Sequence, residues 1–71
     1  MVDKYEFKSV MLKNRERQED LAVGLGITPA ALSNKINNKL EFKPSEIEKI
    51  ILRYNLNAKD IQRIFFAGTV N

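Results

Sequence analysis

The chain contains no cysteine and no histidine. Disulfides are therefore excluded, and so are the usual ligands of a structural zinc and the commonest general base. No serine sits beside a base, no glycine-rich phosphate loop occurs, and the carboxylates form no constellation beyond the starts of helices, so catalysis is not expected. No metal, cofactor or small-molecule ligand is implied either. Apolar runs stop after a few residues and the chain opens Met1-Val2-Asp3-Lys4-Tyr5-Glu6, so neither a membrane-spanning helix nor a signal peptide is expected. A cytoplasmic location, in a bacterial or phage-infected cell, fits that pattern. With two prolines and three glycines, the chain shows no low-complexity tract, no internal repeat and no linker. Its 71 residues are read as a single domain, 1–71, whose core must come from close helix packing.

The charge is a mild excess of 12 basic over 9 acidic residues, which favours a polyanionic partner without requiring one. Placement is more informative. Lys8, Lys13, Arg15, Arg17 and Lys43 lie before or after residues 18–39 and Lys35 and Lys39 at their end, whereas Glu46, Glu48 and Asp60 gather in the second half. Arg15 is placed to pair with Glu16 or Glu19.

Residues 18–39 read as two short helices joined by a tight turn. Gly26 suits the left-handed conformation that ends a helix, where a Cβ would clash. Thr28 can cap the next helix with its hydroxyl, and Pro29 fits the first helical position, where no N–H is missed. Ile27 and Leu32 form a hydrophobic staple across that cap. Leu21, Ala22, Leu25, Ile27, Leu32 and Ile36 make a shared apolar seam, with Ala22 small where the second helix passes close. The spacing thus predicts a helix-turn-helix.

On the second of these helices, Ala30, Ser33, Asn34 and Asn37 fall within an arc of roughly 100° turned away from Leu32 and Ile36. None is charged or bulky and apolar. Short polar side chains allow a helix to sit deep in a major groove, and asparagine can pair bidentately with adenine. The alternative is a solvated face that lacks charge, although such faces usually carry lysine and glutamate.

The rest of the chain also reads as helix. A first helix is expected over about Tyr5 to Asn14, with Phe7, Val10 and Met11 inward. A fourth opens at Pro44 with Glu46 in its third position, a Phe42 to Ile47 staple and the stripe Ile47, Ile50, Ile51, Tyr54. A fifth follows Asn57 as cap, with Asp60 near the positive end of the dipole, a Leu56 to Ile61 staple, and Ile61, Ile64 and Phe65 inward. Phe65 and Phe66 cannot both point inward, being about 100° apart. Met1 to Asp3 and Gly68 to Asn71 are expected to fray.

The segments LAVGLGIT (21–28), LSNKINNK (32–39), FKPSEIEKI (42–50) and DIQRIFF (60–66), with Gln18 opening the second helix, resemble the small phage-associated helix-turn-helix proteins of the Cro and repressor (XRE-like) superfamily. The resemblance covers nearly the whole chain. It implies an all-α, five-helix repressor-like domain that binds double-stranded DNA operators as a phage or prophage transcriptional regulator, with a recognition helix at about 29–37 in the major groove. It further implies that Pro29, Ala30, Ser33 and Asn34 face bases, that Gln18 bonds a phosphate, and that Asn37, Asn38 and Lys39 lie by the DNA backbone.

Arg17 and Lys35 are expected to join them as phosphate contacts. Three departures from the family pattern matter. Arg17 replaces the usual Thr or Ser cap, which weakens the start of the second helix. Pro29 and Ala30 replace residues that hydrogen-bond bases, and Asn38 replaces a frequent glycine but tolerates the left-handed conformation. A different reading keeps the scaffold as a protein-interaction module, antitoxin-like or an adaptor.

One recognition helix covers too few base pairs to select a genomic site, so a weak homodimer is expected. The motif must stay free, which leaves Leu52, Phe66 and Val70 as the expected dimer contact.

Overall fold

A computed structural model describes residues 1–68 and places five α-helices in them, with no strand among the described residues. They are α1 (Lys4–Lys13), α2 (Gln18–Leu25), α3 (Pro29–Ile36), α4 (Pro44–Tyr54) and α5 (Ala58–Phe65). No helix among the described residues is long and apolar enough to cross a membrane. Thr69 to Asn71, part of the tail expected to fray, lie outside the described residues.

Helix starts leave N–H groups without intrahelical partners, and each start here is served locally. Asp3 caps α1 by accepting from the N–H groups of Tyr5 and Glu6 at 3.0 and 3.1 Å. Thr28 Oγ1 accepts from Ala31 N–H at 3.1 Å, followed by Pro29 at the first position of α3. Asn57 and Asp60 serve each other's N–H groups at 2.8 and 3.1 Å, a complete capping box at the start of α5. Arg17 and Lys43 cannot accept hydrogen bonds through their side chains. Instead the carboxylates of Asp20 and Glu46 reach back to the Arg17 and Lys43 N–H groups at 3.0 and 2.9 Å. The weak start expected at Arg17 is thus supported from the third position of α2. Gly26 ends that helix at φ 71°, and Asn55 ends α4 in the same left-handed region at φ 52°.

The core is built from Phe7, Val10 and Met11 of α1, Leu21, Ala22 and Leu25 of α2, Leu32 and Ile36 of α3, Ile50 and Tyr54 of α4, and Ile64 and Phe65 of α5. Phe42, Ile47, Leu56 and Ile61 pack against it half-buried, the positions at which the two staples fix how α4 and α5 begin. Phe7, Phe42 and Phe65 meet as a triad that joins α1, the α3–α4 connection and α5. Phe7 and Phe42 stack at 5.6 Å, and Phe65 meets both edge-on at 6.0 and 5.8 Å, geometries the ring quadrupoles favour.

The N-terminal residues depart from expectation. Rather than fraying, Asp3 N–H donates to Ile64 O at 2.8 Å. Val2 exchanges two 2.8 Å bonds with the Asn38 side-chain amide, donating to Oδ1 and accepting from Nδ2. These three satisfied backbone groups explain why this segment is held; Asn38, 36 residues from Val2 in the chain, lies beyond any local pattern.

Candidate nucleic-acid interface

The seam between α2 and α3 forms as the spacing requires. Leu21, Leu32 and Ile36 are fully buried, Ala22 and Leu25 nearly so, and Ile27 is half-buried beside them. Burying one side of α3 turns the other outward. Pro29 and Ala30 are exposed, Ser33 and Asn34 partly exposed, and Asn37 exposed. This face carries small or short polar side chains and no charge. The Asn37 amide turns back on its own helix, donating to Ser33 O at 2.9 Å.

Around that face the basic residues divide. Arg17 is exposed and pairs loosely with Asp20, Nε to Oδ2 at 3.6 Å. Gln18, the first residue of α2, is partly exposed, and Lys39 and Lys43 are exposed. Lys35 does not belong with them. It is buried, and its ammonium donates to both carboxylate oxygens of Glu46 at 2.6 and 2.7 Å. Its assignment as a phosphate contact is therefore corrected: an ammonium enclosed by the protein and already paired has no reach to a nucleic-acid backbone. A position on the inner edge of α3, next to Ile36, decides this. The Asn38 amide bonds Val2 through Oδ1 and through one hydrogen of Nδ2, while the residue stays exposed. Its left-handed conformation, φ 64°, is as expected.

Burial raises the Glu46 carboxyl, but the bonds from Lys35 and from Lys43 N–H outweigh it and hold the group below the usual carboxylate range. A second carboxylate is held in the same way. Glu16, in the α1–α2 connection, accepts from Arg53 Nε at 2.7 Å and from a second Arg53 nitrogen, so the pair is bidentate; Tyr54 Oη also donates to it at 2.7 Å. The Arg53 bonds lower its pKa more than burial raises it, with Tyr54 helping. Tyr54 is pushed well up by its burial and by the Glu16 charge. Arg53, 37 residues away, thus takes the role expected for Arg15. No sequence spacing could have suggested that pair. The Lys35–Glu46 pair left one faint trace in the chain, a lysine at a position where helical phase points inward.

Of the residues expected at a dimer contact, Leu52 is 75% exposed and Phe66 43% exposed; Val70 lies outside the described residues. Leu52 stands on α4 away from Ile50 and Tyr54, whereas Phe66 follows the last residue of α5.

Among known proteins, the family described as "Protein of unknown function (DUF739)" matches residues 3–68. No curated protein and no solved structure matches.

Proposed function

The chain belongs to the DUF739 family, and from the geometry of α3 we propose that it binds double-stranded DNA sequence-specifically as a small transcriptional regulator. In this reading α2 and α3 are a helix-turn-helix of the Cro and repressor type. The observation that carries it is the outward face of α3: Pro29, Ala30, Ser33 and Asn34 project from a helix whose opposite side is locked into the core, and none of them is charged or bulky. Such a helix can approach base edges closely, with the Asn34 amide supplying donor and acceptor together. Arg17, Gln18 and Lys39 flank it as backbone contacts, which position the helix without reading sequence.

The phage or prophage setting, and a bacterial cytoplasm as the place of action, follow from the resemblance to the Cro and repressor proteins. The operator then consists of two inverted half-sites about 34 Å apart. A weak two-fold dimer through Leu52, Phe66 and the C-terminal tail fills them. Binding to a pool of random duplexes, followed by sequencing of the retained fraction, tests this directly. Enrichment of one motif supports the reading, and a retained pool as random as the input contradicts it.

A further inference from the structure

Hydrophobic attraction between helices has little directional character, whereas hydrogen bonds lose strength steeply when bent. Both kinds of force hold α3. Leu32 and Ile36 bury its inner side in the shared core, where α3 packs chiefly against α2. The directional part converges on one carboxylate: Lys35 donates to both Glu46 oxygens at 2.6 and 2.7 Å, and Oε1 also accepts from Lys43 N–H at 2.9 Å. Lys35 and Glu46 are 7% and 5% exposed, so the pair is shielded from water in this arrangement. Rotation or sliding of α3 on its apolar contact would leave two buried charges without partners, a costly state.

We propose that the Lys35–Glu46 pair fixes the angle of α3 against α4, and that it thereby sets how sharply the outward face of α3 discriminates among duplex sequences. This inference rests on the reading of α3 as the base-facing helix. Lys35 is a positioning residue: it touches no base, and it acts through Ala30, Ser33 and Asn34, which share its helix. A purely apolar replacement separates this role from simple stabilisation, because a buried ion pair exchanged for apolar side chains of similar size often leaves stability unchanged or improved. Affinity and discrimination then come apart. Backbone contacts tolerate a helix that wanders by a few degrees, and bidentate base contacts do not.

The chain has no native cysteine, so spin labels can be placed at Ala30→Cys on α3 and Glu48→Cys on α4, both exposed positions. Pulsed electron resonance then reads the separation between the two helices. A single narrow distance distribution is expected with Lys35 and Glu46 in place, and a broadened or displaced one in Lys35→Met/Glu46→Leu, with no fall in melting temperature. Lys35→Met/Glu46→Gln keeps an acceptor for Lys43 N–H and serves if the first variant does not fold. An unchanged distribution in a folded variant overturns the proposal.

In unlabelled protein, the ratio of affinities for a selected and a random duplex is expected to fall about tenfold or more in the apolar variant, the scale of one lost bidentate contact. Affinity for random duplex should stay within about twofold of the parent, since backbone contacts are sequence-independent. A retained ratio overturns the link to discrimination. If the parent itself prefers no duplex sequence, the DNA reading fails with its link, and the distance measurement still decides whether the pair fixes α3.

Discussion

The Arg53 guanidinium lies where Gly24 has no side chain: a Cβ on Gly24 would stand 2.5 Å from an Arg53 nitrogen and 3.0 Å from the guanidinium carbon. Arg53 crosses the outer surface of α2 at this point to reach Glu16. Glycine inside a helix is ordinarily unfavourable by about 1 kcal/mol relative to alanine. Here it gives passage to the ion pair that ties the α1–α2 connection to α4.

Gly24→Ala should therefore fail to give the usual gain. The helix gains about 1 kcal/mol, while displacing the guanidinium weakens charged hydrogen bonds whose usual worth is about 1.5–3 kcal/mol each, less here because Arg53 is partly exposed. The two roughly cancel, so the expected net effect is close to zero in place of the usual gain of about 1 kcal/mol. In an Arg53→Ala background the same change should instead stabilise by about 1 kcal/mol. Urea unfolding of the four chains, treated as a double-mutant cycle, checks the difference between the two backgrounds; equal effects in both would separate Gly24 from the Arg53 contact.

Lys39 and Lys35 make opposite predictions despite standing four residues apart in the chain. Lys39→Ala should weaken binding to selected and random duplex together and make the dependence of log affinity on log salt shallower by about one unit, as expected for one lost phosphate contact. Lys35→Ala should leave that slope unchanged and cost about 3–5 kcal/mol of stability, because Glu46 remains buried without its partner. Salt titrations below the melting temperature of each variant separate the two. A shallower slope for Lys35→Ala would return Lys35 to the DNA backbone.

Acid should destabilise the fold through Glu16 and Glu46. Both carboxyls have folded pKa values lowered relative to ordinary glutamate. Their contribution is therefore fully present above the unfolded value, about 4.3, and is lost as pH falls through the lower folded values. Glu16→Gln should start less stable at neutral pH and lose less on acidification than the parent. Thermal melts across this range check it, and parallel curves for parent and variant would contradict the assignment.

Much of this architecture can be read in the chain itself. Gly26, Thr28 and Pro29 act within a few residues of one another, so their turn chemistry identifies the α2–α3 unit, and the spacing of Leu21, Ala22, Leu25, Leu32 and Ile36 identifies its seam. The same local logic finds the start of α4 at Pro44 and the cap of α5 at Asn57. What escapes it is every polar partnership across the fold. Val2 with Asn38, Glu16 with Arg53, and Lys35 with Glu46 each join separate elements. Residue type alone cannot distinguish a lysine aimed at solvent from one aimed at a buried carboxylate. Lys35 is such a lysine: helical phase places it beside the seam, while composition groups it with surface cations.

The dimer proposal concentrates on Phe66. Phe66→Lys should abolish cooperative filling of two inverted half-sites while leaving a single half-site bound as in the parent, because α3 is untouched. Gel-shift titration with sedimentation of the same samples reads both properties. Undiminished cooperativity would move the contact elsewhere, and strict one-to-one binding by the parent would remove the dimer.

The reading of α3 as a base-facing helix stands or falls most directly on Asn34. Once a preferred duplex has been selected, Asn34→Ala should bind it more weakly by roughly 1–3 kcal/mol and lose preference at one base pair, with binding to random duplex nearly unchanged. Affinities measured for the parent and this variant against every single-base-pair change in the selected site give the answer. Relaxation confined to one position is the predicted result, and a variant that keeps the parent's full preference would contradict it.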